Sequence, residues 1–192
     1  MGRWEPDARG RLLQAALELF ADQGYDATTT AQIAERAGLT KTTLFRLFAD
    51  KREILFQGQP ALVAVAIAGV ESAPDGATAA ELLRAGLFAL CSAHVPEQQA
   101  IGRQIELLVA SSPELKERAV FKRSAITAAL EGSLAGRLGD RRLAGVLADL
   151  GVRAYYEGFT VWSGTRRSDR LADVVADELA AYESVLPQVT TL

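Results

Sequence analysis

The chain has 192 residues, a formal net charge of −3, 49% apolar and 23% charged residues. That size allows one or two domains with an ample core, and the balance is that of a globular protein, not of a disordered or uniformly polycationic one. A single cysteine excludes an intrachain disulfide, and Cys91 and His94, the only cysteine and histidine, cannot build a Cys/His zinc site, so neither metal nor cofactor is expected.

In chain order, Leu12, Leu13, Ala16, Leu17 and Phe20 form one stripe, which predicts a first helix ended by Gly24. Tyr25 is placed to pack back under the hairpin formed by the next two helices. Residues 28–52, TTTAQIAERAGLTKTTLFRLFADKR, predict those two short helices, joined by a tight turn. Thr30 caps the first of them, with a hydroxyl that can reach a phosphate. Ile33, Ala34 and Ala37 mark its apolar face, Gly38 allows the exit, Leu39 plugs the turn and Thr40 caps the next helix. Leu44, Leu47 and Phe48 bury at i, i+3, i+4, which leaves Lys41, Thr42, Thr43, Phe45 and Arg46 on the outer side. Asp50 and Glu53 have capping-box-like spacing at the start of a fourth helix, with Lys51 at its amino terminus, where an anion is favoured.

Two readings fit this hairpin. It is a helix-turn-helix whose second helix enters the DNA major groove, or an ordinary αα-hairpin with a solvated charged face. Local charge favours the first. Between residues 36 and 52, Arg36, Lys41, Arg46, Lys51 and Arg52 face only Asp50, a local charge of +4. Such cations displace phosphate counterions. Arg46 can donate to a guanine edge, and the threonine methyls can touch a thymine methyl.

The remainder reads as helices with clear punctuation. A fourth helix is expected over about 51–72, bent near Gly58 and Pro60, then a turn at 73–76. Thr78 with Glu81 opens a fifth, to about Ala93. Pro96 starts a sixth, to about Ser111, and Ser112-Pro113 a seventh, closed by Gly139-Asp140. An eighth covers about 141–163, a turn Gly164 to Ser168, and a ninth 169–186, stopped by Pro187. No strand alternation appears. ALVAVAIAGV is too short to span a bilayer, and MGRWEPDARG has no apolar signal region, so no membrane association and a cytoplasmic location are expected.

The run RLLQAALELFADQGYDATTTAQIAERAGLTKTTLFRLFADKREIL, residues 11–55, resembles the amino-terminal pattern of the TetR family of transcriptional regulators. The signs are AALELF, Gly24-Tyr25, Thr29-Thr30, IAERAGLT, LFRLF and Asp50-Lys51. The resemblance implies an all-α fold of about nine helices. A three-helix DNA-binding domain occupies 1–55, and a helical ligand-binding and dimerisation domain occupies 56–192. Thr30 and Lys51 resemble phosphate contacts; Thr40, Lys41, Thr42, Thr43, Phe45 and Arg46 resemble the recognition-helix set, Arg46 foremost for base reading. Thr42 stands where many members have glycine, and Leu47 where many have histidine, so the base preference does not transfer from a relative.

The last two helices are expected to form a homodimer seam. Leu171, Val174, Val175, Leu179, Tyr182 and Leu186 lie on one, Leu143, Val146, Leu147, Leu150 and Ala154 on the other, with Gly145, Gly151 and Gly158 allowing close approach. The same stripes also fit burial within their own chain. A two-fold dimer places two recognition helices in successive major grooves. For an effector pocket the candidates are His94, Arg103, Gln104, Phe121, Tyr155, Phe159 and Trp162, aromatic groups with a few polar ones among them. Ordinary core packing is the competing role for His94 and the aromatics. LVASSPELKERAV resembles the second domain of members that bind acyl-CoA-like or other lipophilic molecules. The function expected is a dimeric repressor on a palindromic operator, released by a small, mainly apolar effector. An activator, or a helical interaction module without DNA binding, are the alternatives. No Gly-rich phosphate loop and no GxSxG elbow appears, so no enzyme is expected.

Overall fold

The computed structural model describes residues 7–164 and 170–189, and every regular element among them is helical. They pack as two units. One holds the residues up to Gly58 together with Gln104–Ala119; the other holds Gln59–Arg103 and the residues from Val120 onward.

The first unit contains α1 (Ala8–Gln23), α2 (Thr30–Arg36), α3 (Lys41–Leu47) and α4 (Lys51–Leu55). The predicted stripe of α1 is its core face: Leu12, Ala16, Leu17 and Phe20 are buried, and the Tyr25 ring tucks in 5.1 Å from that of Phe20. Thr29, not Thr30, caps α2. Its hydroxyl accepts the Gln32 N–H, and the Gln32 side-chain oxygen accepts the Thr29 N–H at 2.9 Å. Only a helix that starts at Thr30 puts Gln32 at the third position, and that reciprocal pair satisfies two orphan donors where a Thr30 cap satisfies one.

The second unit is built on α5 (Gln59–Glu71), α6 (Ala79–Ser92), a 3-10 turn at Pro96–Gln98, α9 (Arg141–Gly164) and α10 (Leu171–Val189). It also takes the first residues of α7 (Gln99–Ser111) and most of α8 (Pro113–Leu138). The structure has ten α-helices among the described residues where nine were expected. The span 51–72 divides into α4 and α5 because Pro60 has no N–H for the Phe56 carbonyl. Pro187 does not stop α10; it sits inside the final turns, and the helix runs on to Val189. Of the turn expected at Gly164 to Ser168, Gly164 closes α9 and 165–168 lie outside the described residues. The Thr78–Glu81 capping box forms as expected, with Glu81 accepting the Thr78 N–H at 2.7 Å.

The core of this unit joins Leu83, Leu87 and Leu90 of α6 with Ile126, Leu130 and Leu134 of α8, Val152, Tyr155 and Trp162 of α9, and Val175 and Leu179 of α10. Here part of the expected dimer stripe is used within the chain. Leu171, Val175, Leu179 and Ala154 are buried. Gly158 lets α10 approach: a Cβ there would lie 2.7 Å from Val175 Cγ2 and 3.1 Å from its Cα. Gly151 likewise faces Leu83. The close approach that these glycines allow is between helices of one protomer. Leu143, Val146, Val185 and Leu186 stay exposed.

Candidate nucleic-acid interface

The turn between α2 and α3 is fixed by backbone bonds, Gly38 N–H to the Glu35 carbonyl at 3.0 Å and Leu39 N–H to the Ala34 carbonyl at 2.8 Å. Gly38 has φ +67°, a conformation that a Cβ strains. Thr40 then caps α3, accepting the Thr43 N–H at 3.1 Å, with the two hydroxyls 2.9 Å apart. Leu44 and Phe48 are buried beneath, while Leu47 is only half-buried. Arg9 closes the far end, its guanidinium 4.7 Å above the Phe48 ring and donating to the Leu47 carbonyl at 3.3 Å.

This anchoring leaves Lys41, Thr42, Phe45 and Arg46 exposed on one side of α3. Thr40 is also exposed, but its hydroxyl is engaged with Thr43, which is half-buried. Thr30 is half-buried in the first turn of α2. The cations separate into two groups. Arg36 pairs with Glu18 at 3.1 Å, and Arg52 pairs with Asp50 at 2.6 Å and with Glu114 of α8 at 3.3 Å. The Arg52 hydrogen bond, with the N–H groups that Asp50 caps, holds the Asp50 carboxyl below its ordinary value although burial opposes this. Among the described residues, Lys41 and Arg46 have no ion-pair partner. The sequence count of +4 is thus concentrated by folding: two unpaired cations remain on the outer side of α3.

Lys51 opens α4, as expected, and its side chain is engaged within the chain. Its ammonium donates to the Tyr25 carbonyl at 2.7 Å and the Thr28 carbonyl at 3.0 Å, and lies 4.1 Å from the centroid of the Tyr25 ring. These carbonyls take two of its three N–H donors and leave a third. Glu53 does not reach back to Asp50 in a capping box; it pairs with Arg118 of α8.

Of the expected pocket residues, four come together in the second unit. The Nε2 of His94 lies 2.7 Å from the Tyr155 hydroxyl, and the His94 ring is 5.2 Å from Phe159 and 6.2 Å from Trp162. They form a packed aromatic cluster, with Phe159 closed against Gly102. Burial pushes the Tyr155 phenol up and the His94 imidazole down, so both are neutral near pH 7. Arg103 and Phe121 do not join them: both are exposed, Phe121 by 61%. Gln104 is exposed and belongs to the first unit.

Two recesses of the second unit lie beside other residues. One, about 570 Å³, is lined by Arg123, Thr127, Val146, Asp149, Leu150 and Arg153 on α8 and α9. The other, about 230 Å³, lies between α6 and α10 on Leu87, Phe88, Cys91, Val175 and Leu179. Sequence reading missed both recesses, because their walls mix core and surface positions drawn from two helices each. No described helix is long and apolar enough to cross a membrane.

Residues 12–57 match the pattern of bacterial regulatory proteins of the tetR family. The chain is 41% identical over 68 residues to the HTH-type transcriptional regulator TcmR of Streptomyces glaucescens, covering 35% of this chain and 30% of that protein. It is 46% identical over 48 residues to the HTH-type transcriptional activator FasR of Mycolicibacterium smegmatis, covering 25% and 22%. The matched stretch spans less than a third of these relatives' own length. Whole-chain likeness is to solved structures. The FadR repressor of Thermus thermophilus in complex with lauroyl-CoA has a TM-score of 0.56 at 21% identity, over 93% of this chain and 94% of that one. FadR of Bacillus subtilis in complex with stearoyl-CoA has a TM-score of 0.59 at 20% identity, over 89% and 95%. Identity that low establishes the shared all-helical fold alone.

Proposed function

We propose, from the match of residues 12–57 to the tetR family of bacterial regulatory proteins, that this chain is a dimeric, ligand-responsive repressor of transcription. The observation that carries the reading is the outer side of α3, where Lys41, Thr42, Phe45 and Arg46 are exposed on a helix capped at one end and clamped by Arg9 at the other. Arg46 reads a guanine edge; Lys41, Thr30 and the last donor of Lys51 take phosphates.

Two copies join through α9 and α10, by the apolar groups that their own chain leaves exposed, Leu143, Val146, Val185 and Leu186. One α3 covers few base pairs, and a two-fold pair reads a palindrome. The effector is a small, mainly apolar molecule bound in the second unit. Support comes from the lauroyl-CoA and stearoyl-CoA complexes of proteins that share the fold. The break between α4 and α5 at residues 56–58 is where this reading places the change in separation of the recognition helices. An effector that binds the non-docking arrangement more tightly releases the operator, since only differential affinity moves such an equilibrium. The FasR likeness supports a second reading, activation, with the same DNA contacts.

Selection of duplexes from a random pool, with sedimentation of the protein, tests the reading. A dimer and an enriched palindrome are expected; a stable monomer at micromolar concentration with no palindrome overturns it. A reporter with the selected site inside its promoter separates repression from activation.

A further inference from the structure

Phe45 is 48% exposed on the outer side of α3. It is not among the buried residues of its unit, whereas its neighbours Leu44 and Phe48 are. The Lys41 ammonium sits 5.7 Å from its ring centroid, so a cation already covers part of one ring face. The threonines that carry methyl groups nearby are less free. Thr40 and Thr43 are held together by their hydroxyls at the helix cap, and Thr43 is half-buried. Phe45 is therefore the largest apolar surface that α3 offers outward.

Resting on the reading of α3 as a recognition helix, the chemistry of a major groove leaves this ring a single complement among the base edges. The thymine 5-methyl is the largest apolar group displayed there; the N7, O6, O4, N6 and N4 positions are hydrogen-bond donors or acceptors. A phenyl ring set against those would desolvate them without a partner. We propose that Phe45 specifies a thymine in each half-site by packing on its 5-methyl group. Lys41, held at the ring, faces the backbone phosphates from the same side, so one short segment couples a base preference to a charge contact.

The test uses the full chain and the duplex that selection yields. Each thymine is replaced in turn by deoxyuridine, which deletes only the methyl group. At one thymine per half-site, wild-type affinity is expected to fall about fourfold, the effect of exposing one buried methyl group. With Phe45→Ala the thymine and deoxyuridine duplexes are expected to bind equally, the signature of a pairwise interaction in a double-mutant cycle. A flat deoxyuridine scan with the wild-type chain overturns the proposal while leaving sequence-specific binding in place. A methyl effect that persists undiminished in Phe45→Ala also overturns it, by giving the contact to another side chain. If no duplex is selected at all, the reading of α3 itself fails, and the proposal with it.

Discussion

Lys51 is bound to Tyr25 in two ways at once: its ammonium donates to the Tyr25 carbonyl at 2.7 Å and lies 4.1 Å from the centroid of the Tyr25 ring. The same ammonium takes the Thr28 carbonyl, so one side chain of α4 holds the loop that launches α2. A residue that the resemblance assigns to phosphate binding is thereby also a strut inside the first unit.

Replacement of Lys51 by methionine keeps an apolar stem and removes the donors. Hydrogen bonds from charged groups contribute about 1.5–3 kcal/mol, less where water reaches them, so a loss of about 1–2 kcal/mol of stability is expected. Chemical denaturation measures it. The DNA affinity of the variant separates the two roles. If the third donor holds a phosphate, the slope of log affinity against log salt flattens by about 0.9 for each copy bound, about 1.8 for a dimer. An unchanged slope makes Lys51 internal only.

Arg46 has no such internal task. With Arg46→Ala, discrimination is expected to fall by about 1–3 kcal/mol at one or two base positions while the rest of the preference stands. Binding to a panel of single-base variants measures this. Equal weakening on every duplex identifies Arg46 as a phosphate contact.

Local signals in the sequence carried most of the first unit. The stripe of α1, Gly38 in the turn, Thr40 at the cap and the exposed set on α3 all derive from spacing over a few residues, where helix period and capping chemistry decide. What depended on distant partners was less legible. Lys51 meets Tyr25 and Thr28 more than twenty positions away, and Glu53 meets Arg118 instead of its own helix start. In the second unit, Gly151 and Gly158 read equally well as contacts between copies or within one, and only packing shows Leu83 and Val175 against them. His94, Tyr155, Phe159 and Trp162 do gather, but as a packed cluster. A polar and aromatic composition fits a lined cavity and a satisfied core alike.

That cluster has a consequence for acid stability. Burial holds the His94 imidazole below its ordinary pKa of about 6.5. The unfolded chain therefore binds the proton more readily than the folded one. Stability from this group is fully present above about pH 6.5 and is lost as pH falls through the lowered folded value. Tyr155, raised by burial, stays protonated throughout. His94→Gln does not titrate, and its amide can still reach the Tyr155 hydroxyl. Denaturation midpoints followed from about pH 7.5 to 5 are expected to fall more steeply for the wild type than for this variant. Parallel curves would show that His94 is freely solvated.

The exposed apolar residues on α9 are where the proposed dimer is open to direct attack. Val146 is 61% exposed and lines the same recess as Asp149, Leu150 and Arg153. Substitution by aspartate there removes no contact of the core, so the helical circular dichroism spectrum is expected to be unchanged. At a two-fold seam the new carboxylate, three positions before Asp149, adds like charge from both copies and must be desolvated. Sedimentation equilibrium is expected to give a monomer. Affinity for the palindromic duplex is expected to drop by about a hundredfold or more, since each half-site then binds without the effective concentration that its twin supplied. Affinity for a single half-site is expected to persist at its weak level. A Val146→Asp chain that sediments as a dimer and holds the palindrome undiminished would move the seam off this part of α9.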